Sequence, residues 1–384
     1  MRELAADDFV FDGPLGSAGA TIERLGPNHF MIRPGHGPEH PEWTNVPNFA
    51  IRQGARGNPL RVDVAFDGGW DMAFNSYACS WSYDAETWHP IRWEFGKGNT
   101  ETYDSLIFPT FEQDTVYVGH QVPMTYEKMV GLLNDFARHP AAEIVEFGRS
   151  IEDRPMLRLV VTDPQSQVPL AERPAHYIAN QHPCEYSAQW RIIAMIDWLL
   201  SGEAAADSFL AAQTAHFVVM MCVDGPSNGW YRVNADGVDM NRSYHPGGSD
   251  AAAQTREAFL AQRDLERMAE TAPLGTIWSM HTWQGLIEPL IDPAEATETR
   301  YGSWEILRDA IEAADPRELI KPLRERPSKF ATSWTGGPRE QFGVSCILCE
   351  GVGLNNTKTD CLDAGRALVQ GLAHYRGYNA EGVS

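Results

Sequence analysis

Residues 176–200, HYIANQHPCEYSAQWRIIAMIDWLL, contain a strand signal, a loop signal and a helix signal in succession. HYIA is a short apolar run, NQHPCEYS is polar and includes a proline, and WRIIAMIDWLL is long enough for a buried helix. This order is typical of α/β folds with parallel strands, in which ligands bind beyond the C-terminal strand ends. His182 and Glu185 lie in the loop, so we expect them at that functional edge.

The same alternation continues on both sides of this stretch. TYEKMVGLLNDFARH at 125–139 places apolar residues at helical spacing, whereas RLVVT at 158–162 and HFVVMMCV at 216–223 are near-continuous apolar runs. Buried strands that alternate with helices predict an α/β domain over residues 123–384. Its sheet should be mixed, largely parallel and flanked by helices.

The first third of the chain has a different texture. RVDVAF at 61–66 alternates between the two faces of a strand, and the glycine pair at 68–69 follows as a turn. Short strands separated by turns are typical of small antiparallel sandwiches. We therefore expect residues 1–122 to form an N-terminal antiparallel β-sandwich domain, with the boundary near residue 122.

Composition narrows the class of protein. The 384 residues are 43% hydrophobic and 22% charged, which indicates a globular protein with a large core. A formal net charge of −21 argues against nucleic acid and anionic membranes as partners, and no apolar run is long enough to cross a bilayer. Six scattered cysteines and an N-terminus without a secretory signal favour a cytoplasmic protein with reduced thiols. The sequence leaves the oligomeric state open.

A candidate metal site begins with the HxxE pair of His182 and Glu185. Alone this pair is weak evidence for a metal site, because any histidine followed three residues later by a glutamate matches it. A hydrolytic zinc site needs three protein ligands and an open position for water. His281 ends the apolar run GTIWSMHTW at a predicted strand end, whereas His176 and His216 lie near strand starts and more plausibly serve structure. The three residues His182, Glu185 and His281 together predict one hydrolytic metal centre.

Two further groups complete a possible site. The loop VDGPSNGWYRVNADGVDMNRSY at 223–244 contains Arg232, Asn241 and Arg242, which can bind a carboxylate or can form surface salt bridges. Glu350 ends the apolar run FGVSCILCE, so it projects from a strand end as a candidate general base or as a surface glutamate.

At these residues the chain resembles the M14 metallocarboxypeptidases, particularly the cytosolic carboxypeptidase branch and its bacterial relatives. The resemblance rests on motifs that occur in the family's order and cover about residues 123–378: HPCEYSAQW, VDG, RVN, GVDMNR, SMHTW and ILCEG. An N-terminal β-sandwich is characteristic of the cytosolic branch.

The resemblance implies a role for each site residue. His182, Glu185 and His281 would hold one Zn²⁺ per chain, and Glu350 would act as the base on the attacking water. Arg232 would stabilise the oxyanion, while Asn241 and Arg242 would bind the terminal carboxylate of the substrate. Arg339 lies in the region that selects the C-terminal side chain, where it either favours an acidic residue or faces solvent.

The implied function is a zinc-dependent hydrolase that removes C-terminal amino acids from peptides or proteins by metal-activated water. The alternative is a zinc amidohydrolase that acts on N-acyl amino acids or other small amides bearing a free carboxylate. An inactive binding protein would need a lost ligand or a lost base, and neither is missing from the sequence.

The chain departs from the family at three positions. The family's tyrosine is missing from SKFATSWTGG at 328–337, where Phe330 or Trp334 can fill the space but cannot donate a phenolic proton. Thr282 and Cys184 stand where glycines are common.

Overall fold

The structure is a computed structural model that describes residues 2–65, 79–95, 103–283, 285–352 and 357–377. The turn predicted at residues 68–69 lies outside the described residues. The chain divides into two compact units, one of Met1–Glu127 with Asp224–Gly237 and one of Lys128–Val223 with Val238–Ser384. Residues 224–237 fall within the predicted second domain, 123–384, yet they pack with the first unit.

The first unit is built from short strands. They are β1 (Phe9–Val10), β2 (Thr21–Gly26), β3 (His29–Arg33), β4 (His36–Gly37), β5 (His40–Thr44), β6 (Phe49–Ile51), β7 (Leu60–Ala65), β8 (Cys79–Ser82), β9 (His89–Pro90), β10 (Arg92–Phe95), β11 (Tyr103–Phe108) and β12 (Val116–His120). In the described residues they form two five-stranded sheets, ordered β1-β6-β12-β8-β9 and β10-β11-β7-β3-β2, and a β4-β5 ladder.

The two sheets of the first unit pack through their apolar faces. Phe9 of one sheet lies 4.7 Å from Phe30 of the other, between ring centroids, and Phe49 lies 6.4 Å from Phe108. The N-terminal antiparallel sheet region is thus present as predicted. One described pair, β3 with β7, is parallel instead, which the long connection between the two strands permits.

The second unit contains a single large sheet in its described part. Its strands are β13 (Ala142–Arg149), β14 (Pro155–Val161), β15 (Ala175–Asn180), β16 (Thr214–Val218), β17 (Leu274–Met280), β18 (Glu288–Asp292), β19 (Arg324–Glu325) and β20 (Ser345–Glu350). The order is β13-β14-β16-β15-β17-β20-β18-β19. The central strands β16, β15, β17 and β20 are parallel, whereas β14 and β18 run antiparallel to their central neighbours. The predicted mixed, largely parallel sheet is confirmed.

The described helices are α1 (Tyr126–Phe136), α2 (Tyr186–Leu199), α3 (Ala204–Leu210), α4 (Gly225–Asn228), α5 (Arg256–Thr271), α6 (Glu295–Tyr301), α7 (Trp304–Ala314), α8 (Gly336–Phe342) and α9 (Lys358–Gly377). The short α4 belongs to the first unit, whereas the others lie wholly or largely in the second unit and flank its sheet. Helix α2 is apolar almost all round, and every residue of it except Asp197 is buried. No helix in the described residues is long and apolar enough to cross a lipid bilayer.

The central strand β15 shows that both faces of the sheet are covered. Tyr177 and Ala179 point into a core that includes Leu265 of α5. On the opposite face Asn180 accepts a hydrogen bond from Gln189 of α2, at 3.0 Å. Because side chains alternate along a strand, helices on both faces explain why this strand is apolar throughout. The sheet is therefore flanked by helices on both faces, as predicted.

His176 is a structural histidine, as its position near the start of β15 indicates. Its Nδ1 lies 2.8 Å from Thr276 Oγ1, and its Nε2 lies 2.7 Å from Gln213 Oε1. Complete burial lowers the pKa of this imidazole to about 4, from a usual value near 6.5. The ring is therefore neutral and hydrogen-bonded in the folded protein at neutral pH.

We expect this histidine to make the protein less stable in mild acid. In the unfolded chain His176 takes up a proton below about pH 6.5, whereas in the folded chain it does so only below about pH 4. The free energy of unfolding therefore decreases as the pH falls between these two values. Lowering the pH from 7 to 5 should reduce the free energy of unfolding by about 2 kcal/mol through His176 alone. Urea unfolding at both pH values measures this loss. His176→Gln should show a smaller loss than the wild type, and an equal loss in both would contradict the expectation.

Candidate metal centre

The topology brings the three predicted metal ligands together. His182 and Glu185 follow β15, and His281 directly follows the adjacent parallel strand β17. The two strand ends are also joined by a side chain, because Asn180 Nδ2 donates to Met280 O at 2.8 Å. The C-terminal edge of the sheet therefore collects residues that are almost 100 positions apart in sequence.

The ligand atoms of these residues converge within a few ångströms. His182 Nδ1 lies 2.9 Å from Glu185 Oε1, and His281 Nδ1 lies 2.9 Å from Glu185 Oε2. The two Nδ1 atoms are 3.1 Å apart. All three side chains are at least 97% buried. In the described residues this is the one group of three such side chains close enough to share a metal ion.

Hydrogen bonds on the far sides of the rings decide which nitrogen faces the centre. Asp239 Oδ1 lies 3.1 Å from His182 Nε2, and a carboxylate accepts the N–H of that nitrogen. The Ser279 hydroxyl donates to Gln181 Oε1 at 2.8 Å, so its oxygen accepts from His281 Nε2 at 2.9 Å. Both imidazoles therefore carry their proton on Nε2 and direct an Nδ1 lone pair inward.

This donor set fits a zinc ion. Two neutral imidazoles and a carboxylate are a ligand set of hydrolytic zinc enzymes, and bonds of about 2.0–2.1 Å in a tetrahedral site separate ligand atoms by about 3.3 Å. The separations of 2.9–3.1 Å lie close to that value. Two lone pairs and a buried carboxylate facing one another repel unless a cation lies between them. His182, Glu185 and His281 are thus suited to hold zinc.

Glu185 is held in place by the protein around it. Its Oε2 accepts the backbone N–H of Thr282 at 3.0 Å, and the Thr282 hydroxyl accepts from Ala188 N at 3.3 Å in the first turn of α2. The Thr282 side chain therefore supports the ligand loop.

Glu350 lies at the strand end beside His281. It is the last residue of β20, which pairs in parallel with β17, and His281 N donates to Cys349 O at 2.8 Å. Its side chain is only partly buried, whereas Cys349 beside it is fully buried. Glu350 therefore lies at the same edge of the sheet as the metal ligands.

Asn241 and Arg242 lie in a short 3₁₀ turn in the second unit. Asn241 Oδ1 accepts the backbone N–H of Trp334 at 3.1 Å, which directs the amide Nδ2 the opposite way. The Arg242 guanidinium lies 4.3 Å from the centroid of Phe330, a ring that is 50% exposed. Trp334 is completely buried against Tyr244. Of the two aromatic residues considered for the missing tyrosine, Phe330 is the one beside Arg242.

The other two predicted arginines have partners of their own. Arg232 belongs to the first unit, where its guanidinium lies 4.5 Å from the ring centroid of Trp43. Arg339 donates from Nε and from a terminal nitrogen to Pro293 O, at 3.1 and 2.7 Å, and lies 3.6 Å from Asp292. The substrate roles of both arginines stay predictions.

Sequence reasoning missed the residues that support the metal ligands. Asp239 stands inside the quoted motif GVDMNR, and its place in that motif was the available signal. Ser279 lies two residues before His281, so strand alternation puts both side chains on the same face. The supporting role of Asp239 and Ser279 became clear only from the structure, in which they accept the N–H groups of the two imidazoles.

The cysteines take no part in metal binding. All six are buried free thiols, which agrees with the reduced state expected from their spacing. Burial raises the pKa of Cys184, inside the metal motif, to about 12, and that of Cys349 to about 11. These thiols therefore stay protonated and unreactive at neutral pH.

The sequence matches known carboxypeptidases. The sequence model of the zinc carboxypeptidase family, Peptidase M14, matches residues 129–268. Cytosolic carboxypeptidase 2 of Danio rerio is 32% identical over 150 residues, which cover 36% of this chain and 20% of that protein. The human protein of the same name is 28% identical over 147 residues, covering 36% of this chain and 16% of its own length. The chain thus spans a fifth or less of these two relatives.

Solved structures resemble the chain over nearly its full length. A metallo-carboxypeptidase from Burkholderia cenocepacia superposes with a TM-score of 0.78 at 19% identity, covering 96% of this chain and 98% of that one. A metallo-carboxypeptidase from Pseudomonas aeruginosa, in complex with (2-guanidinoethylmercapto)succinic acid, gives 0.73 at 17%, covering 96% and 97%. These likenesses show a shared fold. The match of residues 129–268 to the Peptidase M14 model, with 32% identity to a cytosolic carboxypeptidase over 150 residues, makes the M14 zinc carboxypeptidases the family that this chain resembles in sequence.

Proposed function

We propose that this protein is a zinc-dependent hydrolase that removes C-terminal amino acids from peptides or proteins. One observation carries the proposal: the Nδ1 atoms of His182 and His281 meet the Glu185 carboxylate at 2.9 Å, one strand away from Glu350. When bound there, one zinc ion per chain supplies a Lewis acid that polarises the scissile carbonyl and acidifies water. Proton transfer and substrate binding are assigned to the side chains around the metal centre.

Glu350 is proposed as the general base and acid. Its partly exposed carboxylate takes a proton from the attacking water and delivers it to the leaving amine. The backbone hydrogen bond from His281 N to Cys349 O, at 2.8 Å, sets the spacing between the base and the metal ligands. A fixed spacing matters because proton transfer needs the base within hydrogen-bond reach of the water.

Asn241 and Arg242 are proposed to bind the free carboxylate of the substrate. The Trp334 N–H fixes the Asn241 amide with its Nδ2 donors turned the other way, and a guanidinium can bind a carboxylate through two hydrogen bonds. A site that requires a terminal carboxylate restricts cleavage to chain ends. Arg232, as the oxyanion partner, and Arg339, as a selector of acidic side chains, remain part of the proposal.

A panel of small substrates tests this function. We expect release of the C-terminal amino acid from an N-acylated tripeptide with a free carboxylate, and no release from the same peptide amidated at its C-terminus. Peptides that end in glutamate and glutamine report on Arg339. Equal cleavage of the free and amidated peptides would contradict the carboxylate site. Hydrolysis of N-acyl amino acids with no cleavage of peptides would establish the alternative, a zinc amidohydrolase.

Phe330 should affect substrate binding through Arg242. The ring holds the guanidinium at 4.3 Å, a contact worth about 0.5–1 kcal/mol at an exposed position. We expect Phe330→Ala to raise KM about two- to fivefold, with kcat nearly unchanged. Steady-state kinetics on the free tripeptide measure this change. Trp304→Ala removes a similar contact with Arg308 on another surface and serves as the control. A KM equal to that of the wild type would contradict a role for the ring.

A cytoplasmic location is also proposed. It is supported by the six buried free thiols and by the sequence match to cytosolic carboxypeptidases.

A further inference from the structure

Arg191 is an unusual residue for the middle of a protein. It follows the metal motif in helix α2, and its exposed fraction is 0%. Arginine stays charged in proteins and is rarely buried completely, because a charge removed from water needs compensating partners. The partners of this guanidinium therefore indicate what it does.

All of its described hydrogen bonds go to backbone carbonyls at two strand ends. One terminal nitrogen donates to Gly351 O at 2.7 Å, and the other donates to His281 O and reaches Cys349 O at 3.5 Å. Cys349 and Gly351 flank Glu350 in sequence, and His281 is a metal ligand. One guanidinium thus binds the backbone on both sides of the proposed base and the backbone of a ligand.

The surroundings leave this side chain little freedom. Helix α9 crosses α2 so closely that a Cβ at Gly365 would lie 2.3 Å from Arg191 O and 2.8 Å from Arg191 Cα. Gly351 has a φ of +105°, which favours glycine, and its carbonyl is held by the guanidinium. The backbone of Arg191 and one of its acceptors are therefore both fixed by close packing.

We propose that Arg191 is a positioning residue that sets the geometry between the metal ligand His281 and the base Glu350. It acts through the backbone of these residues and does not touch the substrate. The rigid, planar guanidinium is suited to this role, since its donors have fixed directions and can span two strand ends. The part concerning Glu350 rests on the proposed function, whereas the part concerning His281 rests on metal binding alone.

The test compares variants at Arg191 with a matched buried arginine. Arg158 is also buried, but it donates to Asp264 at 2.6 Å and to His216 at 2.6 Å, away from the metal ligands. Arg191→Met, Arg191→Lys and Arg158→Met are prepared as apoproteins. For each, the zinc Kd is measured by competition with a chelator, stability by urea unfolding, and kcat and KM after saturation with zinc.

We expect Arg191→Met to weaken zinc binding about 10- to 100-fold and to lower kcat of the zinc-saturated protein with KM unchanged. Arg191→Lys should recover part of both, since an ammonium keeps the charge but not the planar geometry. Arg158→Met should lose stability while its zinc Kd stays within twofold of the wild type. A purely structural role for Arg191 would give the same pattern as Arg158.

The proposal is overturned if Arg191→Met keeps the zinc Kd and kcat of the wild type within twofold. Should Arg191→Met fail to fold, Arg191→Lys decides the matter, and an unchanged zinc Kd there overturns the proposal. If the wild type binds zinc but cleaves no peptide, the proposed function fails, while the zinc Kd values still judge Arg191.

Discussion

Replacing Glu350 by glutamine should lower kcat/KM about 10³- to 10⁴-fold while the protein keeps its zinc. An amide has nearly the shape of a carboxylate, but it cannot take the proton from the attacking water. Glu350 is not one of the three converging ligands, so the metal content should not fall. Peptidase assays with the free tripeptide, together with the zinc content of the purified variant, measure both quantities.

The neighbouring strand offers a matched control for this change. Glu288 pairs with Glu350 across the β18–β20 ladder, and its carboxylate lies 2.8 Å from Arg324 and 3.5 Å from Lys321. Glu288→Gln makes the same chemical change one strand away and should leave activity within a few fold. If Glu350→Gln kept more than a tenth of the wild-type activity, Glu350 would not be the base.

Replacing His281 by alanine should abolish stable zinc binding, and with it activity. Structural zinc sites bind with about 10–16 kcal/mol shared over four ligands, so removing one ligand should weaken binding at least about 10²- to 10³-fold. Zinc per chain after dialysis, by elemental analysis, should fall from near one to near zero. His139→Ala, at an exposed position, should keep its zinc.

The same site predicts that zinc stabilises the folded protein. A ligand that binds only the native state at 100 times its Kd adds about 2.7 kcal/mol to the unfolding free energy. Added zinc should therefore raise the Tm of wild-type apoprotein and leave that of His281→Ala unchanged. An equal rise in both proteins would place the bound zinc elsewhere.

Much of the fold could be predicted because its signals are local. The apolar run of β15, the polar loop and the apolar helix α2 are neighbours in sequence, and their periodicity reports burial directly. His182 and Glu185 lie three residues apart, so one strand-end loop brings them together. The rule that ligands gather at C-terminal strand ends then identified His281 and Glu350 as candidates.

Other features depend on which strands become neighbours. The parallel pairing of β3 with β7 and the packing of residues 224–237 with the first unit have no local signal. The choice between Phe330 and Trp334 is similar, since both are aromatic and only burial distinguishes them. Patterning predicts that a residue is buried, but it does not predict against which residue.

The chemistry of the site is thus determined partly by the sequence and partly by the tertiary structure. The chain alone carries the zinc-binding residue types, the strand-end positions and the motif resemblance, because each is a property of a few consecutive residues. Tertiary structure alone joins His182 to Asp239, 57 residues away, and Arg191 to carbonyls 90 and 160 residues away. Such contacts follow from strand order and register, which the packing of the whole domain decides. For that reason the metal ligands were predictable, and the side chains that hold them in place were not.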